Sequence, residues 1–81
     1  MTQKVTVYTT NWCPFSKRAI KFLNDKSVEY TAIDIEEDED AAIKVEGWNN
    51  GNRTVPTFDI EGKGVFTNPS AAQLTQLLDL L

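Results

Sequence analysis

The chain has 81 residues, of which 41% are hydrophobic and 25% charged, the composition of a folded protein with one modest core. We expect a single domain over residues 1–81, with no signal peptide or membrane span, and hence a cytoplasmic protein. The net charge of −4 disfavours nucleic acid and membranes as partners. One cysteine and no histidine exclude an internal disulfide, a Cys/His zinc site and histidine-dependent hydrolases, so we expect no metal site.

The first half of the chain predicts two strands and two helices. Residues 4–9 alternate apolar and polar side chains, which is typical of a strand, and from Pro14 the apolar residues recur at helical spacing until about residue 26. Residues 28–35 are rich in β-branched and aromatic side chains and predict a second strand, parallel to the first because one helix connects them. Residues 38–46 predict a short helix that begins with acidic residues and stops at Gly47.

The second half predicts a hairpin and a final helix. A loop rich in turn formers, residues 48–53, leads to two brief strands at 57–60 and 65–67, joined by a four-residue connection. The last helix begins near residues 68–70. Its apolar stripe, which should pack on the sheet, comprises Leu74, Leu77, Leu78 and Leu81. The chain therefore predicts an α/β fold of order βαβαββα.

Cys13 lies where the first strand ends and the first helix begins. The free N–H groups and the dipole at a helix start stabilise a thiolate, so we expect a lowered pKa for Cys13, with Pro14 suited to the first turn and Lys17 adding positive charge. A free cysteine is more often a small buried core residue. Here Asn11 and Trp12 interrupt the apolar pattern before it, which favours a reactive thiol.

Residues 54–56, Thr-Val-Pro, precede the third predicted strand and allow two interpretations. Pro56 simply opens the strand, or a cis Pro56 leaves the N–H and C=O of Val55 free to pair with an extended thiol ligand. Trp12 either shields the thiol and recognises substrate or serves packing alone. The acidic residues 34–40 lack the spacing of a calcium loop and are interpreted as a solvated face.

Several motifs together resemble the glutaredoxins over nearly the whole chain. Trp-Cys-Pro-Phe-Ser at residues 12–16 follows Tyr-Thr-Thr at 8–10, and Thr-Val-Pro at 54–56 precedes a hairpin and a final helix. Residues 50–57 and 67–71 further resemble the mycoredoxins, which are glutaredoxin-like enzymes that work with mycothiol. The resemblance implies a thioredoxin/glutaredoxin fold, a four-stranded mixed sheet flanked by three helices, and a cis Pro56.

The resemblance also implies roles for individual residues. The catalytic positions are Cys13, Pro14 and Ser16, the last in the place of the resolving cysteine. The implied thiol-binding residues are Trp12, Phe15, Arg53, Thr54, Val55, Pro56, Asn68 and Ser70. Glutathione-using members carry a lysine before the cysteine and Gly-Gly-x-x-Asp near the last helix, whereas this chain has Thr10 and residues 68–70 there. Mycothiol is therefore favoured over glutathione, with Arg53 supplying positive charge beside the thiol.

The implied activity is that of a thiol-disulfide oxidoreductase, with Cys13 attacking mixed disulfides between proteins and a small thiol. We expect no tightly bound cofactor, a small thiol as co-substrate, S-thiolated proteins as partners and a monomer. Ser16 is either natural or an engineered replacement of a resolving cysteine. Three alternatives remain: an iron–sulfur carrier, although Pro14 replaces the glycine of that motif; a ribonucleotide-reductase electron donor whose resolving cysteine is replaced by Ser16; and a non-catalytic binding module.

Overall fold

The computed structural model describes residues 4–79, which form a four-stranded sheet and three helices. The elements in chain order are β1 (Val5–Thr9), α1 (Pro14–Asp25), β2 (Thr31–Asp34), α2 (Glu39–Trp48), β3 (Thr57–Ile60), β4 (Gly64–Thr67) and α3 (Ala71–Leu77). This is the predicted order βαβαββα. No helix within residues 4–79 is long and apolar enough to cross a membrane.

The sheet is mixed, as expected, with the strand order β2-β1-β3-β4. β1 runs parallel to β2, while β3 is antiparallel to both β1 and β4. In the β1–β3 register Tyr8 pairs with Thr57, so the end of β1 lies beside the start of β3. The loop that follows β1 and the loop that precedes β3 therefore meet at the same edge of the sheet.

Two buried clusters pack on the sheet, because the side chains of β1 alternate between its faces. The first cluster contains Val5, Val7, Ala19, Leu23, Phe58, Ile60 and Leu74, and joins α1 and α3 to the sheet. The second contains Tyr8, Ile35, Ala41, Ala42 and Val45, and joins α2 to the other side. The predicted docking of the last helix is confirmed for Leu74, Leu77 and Leu78, whereas Leu81 lies outside the described residues.

The second strand is shorter than predicted, because its first predicted residues complete the end of α1. Ser27 adopts a left-handed backbone with φ 56°, and the Val28 N–H donates to the carbonyl of Leu23 at 2.9 Å. This arrangement is a common helix C-terminal motif. Val28 therefore closes the helix, Val28 and Tyr30 pack on the first cluster, and β2 begins only at Thr31.

The prediction that α2 stops at Gly47 is wrong. The helix continues to Trp48, and the left-handed residue that ends it is Asn50, with φ 56°. The Gly51 N–H then donates to the carbonyl of Glu46 at 2.7 Å. Asparagine adopts this conformation more readily than most residues with a side chain, so Asn50 takes the role that the sequence pattern predicted for Gly47.

Candidate active site

Cys13 is the N-cap residue of α1, with an extended backbone (φ −77°, ψ 119°) and Pro14 in the first turn. Its carbonyl accepts the first helical hydrogen bond, from the Lys17 N–H at 3.0 Å. The residue is only 6% exposed, but its neighbours Trp12 and Phe15 are 64% and 52% exposed. Cys13 is thus buried, whereas the two aromatic residues that flank it in the chain are exposed.

The first turn of α1 controls the ionisation of the thiol. Burial raises the pKa of Cys13, but hydrogen bonds from the Ser16 N–H, the Ser16 hydroxyl and the Phe15 N–H lower it further than burial raises it. The pKa of Cys13 therefore lies below its ordinary value of 9.0, in the predicted direction. The predicted contribution of Lys17 is not among the causes, so the helix start alone stabilises the thiolate.

Ser16 is 1% exposed, and its side chain lies against the thiol. Its Oγ has no hydrogen-bond partner at ordinary distance within residues 4–79. A buried hydroxyl without a partner is costly, and this one gains an acceptor when Cys13 loses its proton. Ser16 is therefore positioned to donate to the thiolate, and this donation lowers the pKa of Cys13.

The loop before β3 lies opposite Cys13. The Val55–Pro56 peptide bond is cis, as the resemblance implied. The Cys13 thiol donates to the Val55 carbonyl, with 3.9 Å between Sγ and O. The Thr57 hydroxyl donates to the Thr54 carbonyl at 2.8 Å and holds the turn. The structure thus brings Cys13 together with residues 54–56 across the edge of the sheet.

Trp12 is anchored at the rim of the site by a residue that the sequence analysis did not select. Its Nε1 donates to the carboxylate of Glu36 at 3.1 Å, and the Glu36 N–H donates to Asp34 Oδ1 at 2.9 Å. The parallel pairing of β1 with β2 brings these residues close together, although 24 positions separate them in the chain. No local pattern in the acidic segment could have indicated this contact.

Arg53 does not place a free positive charge beside the thiol. Its guanidinium forms ion pairs with Glu46 and with Glu39, the latter at 2.8 Å, and these carboxylates raise its pKa. Both partners belong to α2, so two negative charges surround the single positive one. The expectation that Arg53 supplies positive charge beside the thiol is therefore corrected. Its charge is paired with two carboxylates of α2.

Asn68 and Ser70 connect the loop before β3 to the last helix. The Asn68 N–H donates to the Pro56 carbonyl at 2.7 Å. Ser70 caps α3: its hydroxyl accepts from the Gln73 N–H at 3.1 Å, and its own N–H donates to Gln73 Oε1 at 2.8 Å. The Ser70 hydroxyl thus has a structural partner already. Both residues line a cavity of about 540 Å³ between α1 and α3 that begins at Phe15.

Other aromatic residues occupy the core or its margin. Phe58 is fully buried, and Trp48, 37% exposed, packs edge-on against Tyr8 with 5.4 Å between ring centroids. Residues 4–79 contain no group of three or more potential metal ligands. The chemistry of the described site therefore centres on one thiol with a lowered pKa.

The chain that carries this site resembles known proteins in both sequence and fold. The family model described as Glutaredoxin matches residues 5–65. The chain belongs to the glutaredoxin family. Glutaredoxins are thiol-disulfide oxidoreductases, so this glutaredoxin is an enzyme of that class.

Individual relatives agree with this assignment. This glutaredoxin is 39% identical over 77 residues to Mycoredoxin 1 of Corynebacterium glutamicum, with 95% of each chain covered. The resemblance to mycoredoxins is thereby confirmed. Among solved structures, a variant of the thioredoxin-like protein BC3987 superposes with a TM-score of 0.82 at 26% identity, covering 95% of this chain and 96% of that one. The glutaredoxin of Archaeoglobus fulgidus gives 0.75 at 26% identity, covering 93% and 85%. The thioredoxin-like fold is therefore shown.

Proposed function

We propose that this glutaredoxin reduces mixed disulfides between proteins and a small thiol, with mycothiol as the favoured thiol. The observation that carries the proposal is the Cys13 sulfur, which has a lowered pKa and lies 3.9 Å from the Val55 carbonyl at the sheet edge. A thiolate is the nucleophile in disulfide exchange, and its fraction at neutral pH increases as its pKa falls. Neighbouring backbone groups at an edge can orient an extended ligand.

The reaction consists of two exchanges. The Cys13 thiolate attacks the small thiol's sulfur in the mixed disulfide; the protein sulfur leaves as a thiolate and takes a proton from solvent. Cys13 is then disulfide-bonded to the small thiol. A second small thiolate attacks that thiol's sulfur, which releases the Cys13 thiolate and forms the symmetrical small-molecule disulfide. Ser16 has no sulfur, and this cycle needs none there.

Two features support mycothiol over glutathione. The chain shares 39% identity with a protein named Mycoredoxin 1 over 95% of its length. The position of the lysine found in glutathione-using members holds Thr10, which is 5% exposed, and Arg53 is bound to two carboxylates. Cations that would pair with the carboxylates of glutathione are thus missing at these two positions.

The adduct on Cys13 identifies the thiol. The protein is incubated with equal amounts of mycothiol-modified and glutathione-modified forms of one peptide, and intact-mass spectrometry follows the adduct over time. We expect mainly the mycothiol adduct. Equal rates for both, or faster reaction with glutathione, would refute the choice of thiol but leave the activity itself standing.

Two variants test the mechanism. Cys13→Ser should abolish adduct formation and peptide release, and residual turnover would refute the assignment of Cys13. Ser16→Cys should allow a second route, in which the new thiol displaces the small thiol and forms a disulfide with Cys13. In this variant only, the adduct should disappear and the protein should weigh two hydrogens less than its reduced form. That result would identify position 16 as the resolving position.

We also propose that the enzyme acts as a monomer in the cytoplasm, where small thiols are kept reduced. No contact among residues 4–79 favours the iron–sulfur carrier, the ribonucleotide-reductase donor or the non-catalytic module over this activity. The buried position of Cys13 agrees with a binding module, but its lowered pKa is typical of a reactive thiol.

A further inference from the structure

The positive charges near the site differ in what they are already bound to. Arg53 pairs with Glu39 and Glu46, and Lys21 pairs with Asp25 at 2.8 Å. Arg18, in contrast, has no carboxylate partner within residues 4–79. It therefore keeps a full positive charge that is available to a ligand.

The position of Arg18 is defined by Phe15. Its guanidinium carbon lies over the Phe15 ring, 5.6 Å from the ring centroid. Such stacking is favourable and leaves the N–H donors at the guanidinium edge free. Phe15 follows Cys13 by two residues, so the stacking places this cation on the first turns of the helix that begins at the thiol.

Arg18 also stands at the cavity between α1 and α3. The walls of this cavity include Phe22 and Leu74, and its polar lining includes Asn68 and Ser70. Asp25 and Lys21 line it too, but they neutralise each other. A volume of about 540 Å³ is within the usual range for ligand sites. The cavity thus offers an apolar surface and one unneutralised cation beside Phe15.

We propose that Arg18, held on Phe15, is a specificity-determining residue that binds a carboxylate of the mixed-disulfide substrate while Cys13 attacks the disulfide. This inference rests on the proposed function and extends it, because it assigns to Arg18 the electrostatic role that Arg53 cannot fill. The carboxylate belongs either to an acidic side chain near the modified cysteine of the protein or, where glutathione is the thiol, to the small thiol itself, since mycothiol has no free carboxylate.

The helix offers a matched control. Lys17 precedes Arg18 and is also exposed, but it lines a different cavity, with Thr10 and Ser16. Arg18→Gln and Lys17→Gln remove the same charge from adjacent positions of one helix, about 100° apart around its axis. Arg18→Lys keeps the charge but loses the planar guanidinium.

The rate of peptide-thiol release is measured in single turnovers with enzyme in excess. One pair of peptides carries Asp or Asn beside the cysteine, both modified with 2-mercaptoethanol. A second pair is the Asn peptide modified with glutathione or with its diethyl ester. Each pair gives the ratio of the rate with the carboxylate to the rate without it.

We expect Arg18→Gln to lower one of these ratios about two- to fivefold, the range for an exposed ion pair. Lys17→Gln should leave both ratios unchanged, and Arg18→Lys should restore part of the loss. A change in the peptide pair assigns the carboxylate to the protein substrate, and a change in the glutathione pair assigns it to the small thiol. Added salt screens an ion pair, so the effect of Arg18→Gln on the ratio should be smaller at high salt.

Ratios that are equal in wild type, Arg18→Gln and Lys17→Gln would overturn the role of Arg18. Equal losses in Arg18→Gln and Lys17→Gln would also overturn it, because they would indicate a general charge effect. In both cases release of the peptide thiol would still support the proposed function. No release by the wild-type protein with any of the four substrates, and none with the mycothiol-modified peptide, would refute the proposed function instead.

Discussion

Ser16 stabilises the thiolate form of Cys13 but not its thiol form. When Cys13 is a thiol, the Ser16 hydroxyl is buried with no hydrogen-bond partner within residues 4–79. When Cys13 is a thiolate, the same hydroxyl donates to it and lowers the pKa of Cys13. The residue therefore favours the thiolate in two ways, by stabilising it and by being unsatisfied beside the neutral thiol.

We predict that Ser16→Ala raises the pKa of Cys13, because the thiolate loses one of its hydrogen bonds. At a pH where Cys13 is a thiol, the free energy of unfolding of the variant should equal that of the wild type or exceed it by up to about 1 kcal/mol, since an unsatisfied hydroxyl is removed. The pH dependence of iodoacetamide alkylation measures the first effect, and urea unfolding the second.

Thr10 provides the control for Ser16→Ala. Its hydroxyl is also buried without a partner within residues 4–79, but it is not among the groups that shift the pKa of Cys13. Thr10→Val should leave the alkylation profile unchanged. If both variants shift the profile equally, the hydrogen bond from Ser16 is not the cause.

The ionisation of Cys13 also couples stability to pH. The pKa of Cys13 in the folded protein lies below the 9.0 of an ordinary thiol, so the folded state loses its proton at a lower pH than the unfolded state does. The free energy of unfolding should therefore increase with pH from the folded pKa up to about 9. This stabilisation is fully present above the unfolded pKa and is lost as pH falls through the folded pKa.

Urea unfolding between pH 5 and 9.5 tests this coupling. Among residues 4–79 the other shifted groups are Lys21 and Arg53, whose raised pKa values lie above this range, and the chain has no histidine. We expect a positive slope for the wild type and a flatter profile for Cys13→Ser. The same slope in both proteins would show that another group is responsible.

At the scale of elements, Arg53 links the first and last turns of α2. Glu39 and Glu46 are seven residues apart on this helix, and the guanidinium binds both. All three side chains are at least 32% exposed, so water weakens the pairs. The contribution of Arg53 to the free energy of unfolding is therefore modest.

We predict that Arg53→Gln slightly lowers the free energy of unfolding at low salt, and lowers it less at 1 M salt because of screening. The alkylation profile of Cys13 should stay unchanged, since Arg53 does not affect its pKa. Urea unfolding at two salt concentrations measures the first effect. A raised pKa of Cys13 in this variant would show that Arg53 stabilises the thiolate despite its ion pairs with Glu39 and Glu46.

Elements with strong local signals could be predicted from the sequence. The alternation in β1, the apolar spacing in α1 and Pro14 after Cys13 are all local, and the structure confirms the helix start at this position. The motif resemblance also gave the cis Pro56. Cys13 could be selected because it is the only cysteine and stands at a strand–helix junction.

Other features depend on contacts between distant residues and could not be read locally. α2 ends just before the left-handed Asn50, and Val28 closes α1. Both endings depend on backbone hydrogen bonds that form only in the folded loops. The pairing of Glu36 with Trp12 requires that β2 lie beside β1. A charge pattern alone does not show which carboxylates Arg53 binds.

At the scale of the whole molecule, one sheet joins two buried clusters. β1 contributes Val5 and Val7 to the first cluster and Tyr8 to the second, so loss of either cluster exposes the strand that supports the other. Leu74, 1% exposed, is the residue of α3 that is buried in the first cluster. A small domain has a free energy of unfolding of about 5–15 kcal/mol, so one large core residue matters to the whole.

We predict that Leu74→Ala lowers the free energy of unfolding by about 2–5 kcal/mol, because it leaves a cavity under α3. Ile43→Ala is the control: Ile43 is 55% exposed on α2, and its change should cost less than about 0.5 kcal/mol. Both are measured by urea unfolding with circular dichroism.

A second probe shows whether the two clusters unfold together. In a Trp12→Phe background, Trp48 is the remaining tryptophan, and it packs on Tyr8 of the second cluster. Because β1 belongs to both clusters, the Leu74→Ala transition followed by Trp48 fluorescence should have the same urea midpoint as that followed by circular dichroism. A fluorescence midpoint that stays at the wild-type value, while circular dichroism shifts, would show that α3 and the first cluster unfold independently of the second.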